Sequence, residues 1–465
     1  MAGPARSARQ VRNVAIVGAG TSGSALACLL RLRGIECVVF DEGKTPDLLV
    51  GESLVPAGMP LLERLGVLDE VTSFSQKKCG AAFRNQRGDR VDFRFRRFGR
   101  SFPDHAFNVP RPRFDLALRK RAAALGARLV HARAEGERSD DPERELRLSD
   151  AALQRASLKR QPDLLIDASG RARLFSRILG LGADKGPRND IAHFAHFEHF
   201  ASDGAFEGQV VLTALERGWT WQIPLPDRCS VGFVMDKRVA RGFGSSPAQR
   251  LENMIESTPL LRAAGLKRHR VSDVKVYSNY QLLATKAHGP GWVLVGDALG
   301  FVDPMLSPGV FMALSSAFSL DDTVFRHPGK NMQTSLNAFY AQAQDWHKGW
   351  SSLSEYFYDG RLLSLGRVRN HIQREAHPLS PARLAELYVS RVLAQLIGGI
   401  STRSAWHQSV LHHSSRFLLR DDDQVASRAI GTSYPWRRRD SNPTRAPHRD
   451  NAFTSTALLG DSRQP

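Results

Sequence analysis

The segment VAIVGAGTSGSALACLLRLRGIECVVFDEG, residues 14–43, constrains the fold more than any other stretch of the chain. Val14–Val17 is apolar enough for a strand buried on both faces, as parallel sheets require. Gly18, Gly20 and Gly23 follow in the spacing G-x-G-x-x-G. Gly18 permits a tight turn, Gly20 lets a pyrophosphate approach the backbone, and Gly23 lets the next helix pack closely on the strand. Ser22 lies in the same turn. The helix aims its positive N-terminal end at the phosphates. A second strand, Glu36–Phe40, ends at Asp41, 23 residues after Gly18, where a carboxylate can hold an adenosine ribose. This order predicts an α/β, Rossmann-like dinucleotide-binding domain. At this point FAD and NAD are both open.

The 465 residues allow two or three domains. With 42% hydrophobic and 24% charged residues, a disordered chain and a coiled-coil rod are excluded. No apolar run approaches the roughly 20 residues that cross a bilayer. The first dozen residues are basic and lack an apolar core, so no secretory signal is expected. Lys+Arg is 65 against 47 Asp+Glu, a net charge of +18. The basic residues are spread along the whole chain, without the aromatic-interleaved stripe of a nucleic-acid binder. The excess still attracts anionic partners at long range. Cys28, Cys37, Cys79 and Cys229 form no C-x-x-C pair, which points to reduced thiols and a cytoplasmic location.

Further along, Val91, Phe93 and Phe95 alternate as in antiparallel strands. Residues 112–126 read as a helix, and 132–161 as a charged pair of strands or an insertion. Residues 190–235 are β-rich, and a helix is expected from about Gly309. Two more segments, DLLIDASGR at Asp163–Arg171 and GWVLVGDALGFVDP at Gly291–Pro304, run from an apolar strand into a polar turn. A simple nicotinamide dehydrogenase needs neither. With the N-terminal turn they resemble the FAD-binding set of the flavoprotein monooxygenase superfamily. That resemblance makes Asp167, Gly296 and Asp297 cofactor residues, with Asp297 on the ribityl chain.

Other segments narrow the resemblance to the flavin-dependent halogenases. GESLVPAGMPLLERLGVLDEV at Gly51–Val71 looks like their Gly-Glu-Ser loop and helix. NVPRPRFDLALRKRAAALGA at Asn108–Ala127 looks like their flavin-contacting arginine and helix, which implicates Arg111. GWTWQIP at Gly218–Pro224 fits their W-x-W-x-I-P signature through Trp219, Trp221, Ile223 and Pro224. The likeness runs in order from about residue 12 to 360. It is similar to the phenol and pyrrole branch, because Leu306 stands where the tryptophan branch has a catalytic glutamate.

The resemblance implies that a separate reductase supplies FADH2. Reduced flavin and O2 then oxidise halide to hypohalous acid, which travels along a tunnel to a lysine beside an aromatic substrate. KKCGAAF at Lys77–Phe83 resembles the lysine segment, with Lys78 as the catalytic amine. The alternative is that Lys77 and Lys78 form a solvated turn. A lysine in an apolar tunnel has a lowered pKa and acts as an amine. The two tryptophans, at i and i+2, share one face of a strand and would wall the tunnel. By type alone they also fit ordinary core aromatics, and the flanking Gly218, Ile223 and Pro224 favour the family reading.

In the family, halide is held by backbone N–H groups of a Thr/Ser-Gly pair. Here that pair is Pro308-Gly309, and proline has no N–H. Ser307 and Gly309 are the remaining candidates, Gly309 also as a cofactor contact. HFAHFEHF at His193–Phe200 brings a metal site into question. A strand there sets His196 opposite His193 and His199, so no metal is expected.

The resulting organisation is as follows. An FAD-binding domain spans 12–190, with an interleaved substrate-side segment at about 76–110. An inserted antiparallel β-sheet substrate domain spans 191–285. The FAD-binding domain returns over 286–332, a helical C-terminal cap covers 333–419, and 420–465 is a disordered tail. The expected activity is FADH2-dependent halogenation of an electron-rich aromatic or aryl-polyene-type precursor, either free or bound to a carrier protein. The alternative is an FAD-dependent monooxygenase or polyprenyl-type reductase of the same fold.

Overall fold

A computed structural model describes residues 11–43, 50–86, 89–96, 102–198, 205–263, 270–278, 281–377 and 379–418. The tail assigned to 420–465, and His199, lie outside the described residues. Two sheets organise the chain. The first has six strands in the order His288–Gly289, Trp292–Leu294, Leu164–Asp167, Asn13–Val17, Glu36–Phe40, Arg128–Val130. All neighbours are parallel except the His288–Gly289 edge. Val14–Val17 and Cys37–Phe40 are buried, because helices cover the sheet. Helix Thr21–Leu32 packs on helices Arg111–Ala124 and Gly309–Leu320.

The second sheet has seven strands in the order Lys275–Ser278, Asp190–Glu198, Arg228–Asp236, Gly218–Pro224, Val210–Leu215, Gly80–Asn85, Arg90–Arg94. It is antiparallel except where Val210–Leu215 runs parallel to Gly80–Asn85. The hairpin from residues 80–94 therefore completes a sheet whose other strands all lie beyond residue 189. One face, through Trp219, Trp221 and Ile223, lines a cavity shared with the turn after Asn13–Val17 of the first sheet. The other packs against helices Lys237–Arg241, Pro247–Glu256 and Pro259–Ala263. These helices add to the β-sheet expected over 191–285. Leu251, Met254 and Ile255 are buried at helical spacing, and they close a second apolar cluster around Phe197 and Phe233.

The charged 132–161 stretch is a short hairpin, Gly136–Arg138 with Leu146–Leu148, followed by helix Asp150–Arg155. Ser149 caps that helix by accepting from Ala152 N. The C-terminal helices are Met332–Tyr358, Arg361–Glu375, Pro381–Ile397 and Ala405–Leu418. Arg369 and Asn370 donate to the Asp92 and Arg90 carbonyls, tying these helices to the second sheet.

Candidate active site

A cavity of about 740 Å³ runs from the glycine turn to the second sheet. At the nucleotide end Gly18 has φ +103°, and a Cβ there would lie 2.4 Å from the Ala168 carbonyl oxygen. A Cβ on Gly23 would lie 2.0 Å from the Gly18 oxygen, so the helix can approach the turn only with glycine. Gly20 has nothing within 4 Å of its Cβ position and opens onto the cavity. Ser22 lines the same end and abuts Gly296, which itself stays behind the wall. Asp41 also lines the cavity and is held by Arg119 at 3.1 Å, a partner not read from the sequence.

Asp167 does not reach the cavity. Its carboxylate accepts from Ser169 N at 2.9 Å and Phe175 N at 2.8 Å. A fully buried carboxylate needs such donors, and Asp167 spends its oxygens closing the turn after its strand. Ser169, Gly170 and Arg171 form the wall instead.

Midway along, Arg111 and Asp297 both line the cavity. Arg111 donates to the Val50 carbonyl at 2.5 Å and pairs with Asp115 at 3.1 Å. Asp115 also accepts from the Thr21 hydroxyl. Burial pushes the Asp297 carboxyl up to about 6, against the opposing pull of Arg111 and Arg171.

At the far end Trp219, Trp221 and Ile223 share one face and line the cavity. The two indole rings are 5.8 Å apart. A Cβ on Gly232 would come within 2.3 Å of the Trp221 ring, so this glycine makes room for it. Pro224 is not on the wall; its carbonyl accepts from Asn108 Nδ2 at 2.9 Å. Lys78 is buried beside the cavity, behind Ser53, which lines it. Its Nζ donates to Ser53 Oγ at 2.8 Å and to the Leu54 carbonyl at 2.9 Å. Burial lowers its pKa to about 7. Lys77 points out to solvent, as strand alternation requires.

The turn after Asp303 holds Leu306 at φ 68° and Ser307 at φ 60°. Ser307 and Gly309 line the cavity, and Pro308 does not. The Ser307 N–H donates to the Pro304 carbonyl at 3.0 Å, so it is not free for an anion. Gly309 opens a helix, and first-turn N–H groups have no intrahelical acceptor.

One pair escaped the sequence reading. His196 Nε2 lies 2.6 Å from Glu52 Oε1, both are buried, and Glu52 lines the cavity. The Gly-Glu-Ser segment was the available signal for Glu52; nothing local announced its partner. His193 is on the opposite face of the strand, and burial lowers its pKa to about 4. The two histidines therefore cannot share an ion.

An elongated cavity with a glycine cradle at one end and a tryptophan-walled sheet at the other fits FAD and defines a two-sheet flavoprotein oxidoreductase. A family model of the tryptophan halogenases matches residues 13–105 and 96–359. The chain belongs to that family of FAD-dependent halogenases. It is 27% identical to a 1H-pyrrole-2-carbonyl-[peptidyl-carrier protein] chlorinase of Pseudomonas fluorescens, over 77% of this chain and 86% of the relative. It is also 27% identical to a tryptophan 2-halogenase of Chondromyces crocatus, over 83% and 75%. A structure of the flavin-dependent brominase Bmp2, in a triple-mutant form, superposes with a TM-score of 0.71 at 20% identity, covering 87% of this chain and 98% of that one.

Proposed function

We propose that this enzyme halogenates an electron-rich aromatic or aryl-polyene-type ring, presented on a carrier protein, with Lys78 directing hypohalous acid. The buried amine carries this reading. A neutral amine has two N–H donors, and Ser53 and Leu54 take both, which leaves the nitrogen lone pair for an electrophilic halogen. Bound FAD, reduced and with O2, supplies the oxidising equivalents that turn halide into hypohalous acid. Gly18, Gly20, Ser22, Asp41, Arg111 and Asp297 hold the cofactor; Gly23, Asp167 and Gly296 shape the turns behind them. The Gly309 N–H faces the halide. Trp219, Trp221 and Ile223 wall the path to the ring.

A carrier-bound substrate is supported by the net charge of +18, by Leu306, and by relatives named for pyrrole-2-carbonyl carrier proteins. A separate reductase is supported by the single G-x-G-x-x-G in the sequence. The four unpaired cysteines support a cytoplasmic site of action. No helix among the described residues is long and apolar enough to cross a membrane.

The test supplies photoreduced FAD, O2 and bromide, with phenol and pyrrole acids offered free and carrier-bound, and reads products by mass spectrometry. Lys78→Ala should keep FAD binding and lose brominated product by at least about a hundredfold. Lys78→Arg should not rescue it, because guanidinium stays charged. Product formation unchanged in Lys78→Ala would reject the reading.

A further inference from the structure

Behind the tryptophan wall lies a buried polar chain that no motif announces. Trp219 Nε1 donates to the Tyr358 hydroxyl at 2.8 Å. Tyr358 donates in turn to Asp303, at 2.9 Å to Oδ2. Asp303 also accepts from Met305 N at 3.0 Å and Gln281 Nε2 at 3.3 Å. The Arg188 guanidinium lies 3.6 Å over the Tyr358 ring and pairs with Asp190 at 2.6 Å. Trp219, Tyr358 and Asp303 are all nearly inaccessible to solvent.

The chain has a direction. An indole N–H can only donate, and a carboxylate oxygen accepts. The Tyr358 O–H must therefore point at Asp303, which leaves its lone pair for Trp219. The three residues come from different parts of the fold: a strand of the second sheet, the last turn of helix Met332–Tyr358, and the turn that leads through Pro304 and Ser307 to Gly309. Trp219, Pro304, Ser307 and Gly309 all line the cavity.

We propose that Tyr358 and Asp303 are positioning residues that lock the Trp219 ring against the 303–309 turn and so keep oxidised halide on its path to Lys78. The inference rests on the halogenase chemistry proposed above. Neither residue touches the cavity; both act through Trp219 and the turn. Loss of the Tyr358 hydroxyl leaves a buried indole N–H without an acceptor and the Asp303 carboxylate with one donor fewer. The wall then loosens and hypohalous acid escapes.

The test compares wild type and Tyr358→Phe with photoreduced FAD, O2 and bromide, offering phenol and pyrrole acids in turn, free and carrier-bound. Monochlorodimedone reports hypobromous acid that leaves the protein. Tyr358→Phe should bind reduced FAD as wild type does, and O2 should oxidise that flavin at the same rate. The ratio of escaped hypobromous acid to brominated ring should rise about tenfold. In a Trp219→Phe background the Tyr358→Phe change should have no further effect, which a general loss of stability would not produce. Asp303→Asn reaches the same chain from its other end and serves if Tyr358→Phe does not fold. An unchanged ratio in a folded variant, or additive effects in the double variant, overturns the proposal. If wild type gives neither brominated ring nor hypobromous acid, the halogenase chemistry itself fails, and the positioning role with it.

Discussion

At the scale of single residues, Lys78 is set apart by where its charge can survive. Its pKa falls to about 7 because burial disfavours the ammonium. The folded pKa is depressed below the free value of 10.5, so Lys78 costs the fold stability progressively as pH falls from 10.5 to about 7, and no further below that. Its neutral fraction rises about tenfold between pH 6 and pH 8, and product formation should rise with it while FAD occupancy is held at saturation. A flat profile of brominated product across that interval would contradict an amine mechanism. Gly20 makes a second residue-level test. A side chain there meets no protein atom but projects into the cradle, so Gly20→Val should fold, with the Tm of the flavin-free wild type, and take up no FAD by absorbance. The resemblance of Lys78-Cys79-Gly80 to the family's lysine segment singled out Lys78, and strand alternation set Lys77 on the opposite face. Neither could reveal that Ser53 stands between the amine and the cavity.

Among the elements, helix Gly309–Leu320 and strand Gly218–Pro224 carry opposite lessons. The helix start was legible as sequence, yet Ser307 turned out to use its N–H on Pro304. Pro308→Ser adds one N–H at the helix start beside Gly309, and the proposed halide site should then bind bromide several-fold more tightly. Bromide dependence of turnover measures this, and an unchanged KM for bromide places the halide elsewhere. For the strand, the tryptophan spacing was readable but the space for Trp221 was not. Gly232, on the neighbouring strand, provides it. Gly232→Ala should cost about 1–3 kcal/mol in denaturant unfolding, since the ring must move to admit the methyl group.

For the whole molecule, one apolar cluster runs from Val14 in the first sheet through Trp219 in the second to Trp350 in the C-terminal helices. Cofactor binding between the sheets should therefore stabilise both together. FAD at a hundredfold over its Kd should add about 2.7 kcal/mol to a single cooperative transition. Two separate melts, with only one moved by FAD, would show that the sheets unfold independently. NADPH mixed with the FAD complex in stopped flow should leave the flavin absorbance unbleached, as expected where a separate protein supplies the electrons.

What the sequence determined by itself is what depends on neighbours along the chain. Residues 14–43 specify strand, turn, helix and strand through burial period and glycine spacing. The order of the later segments fixed the flavoprotein class and the family. Tertiary structure decided which polar atoms meet. Glu52 and His196 are 144 residues apart, Trp219 and Tyr358 are 139 apart, and Tyr358 and Asp303 are 55 apart. Asp167 faces inward although its segment reads as a cofactor turn, because the nearest unpaired N–H groups claim it. Periodicity records which face of an element is buried. A hydrogen bond between distant elements leaves no period, since it depends on how those faces are brought together and on the requirement that each buried donor find an acceptor there.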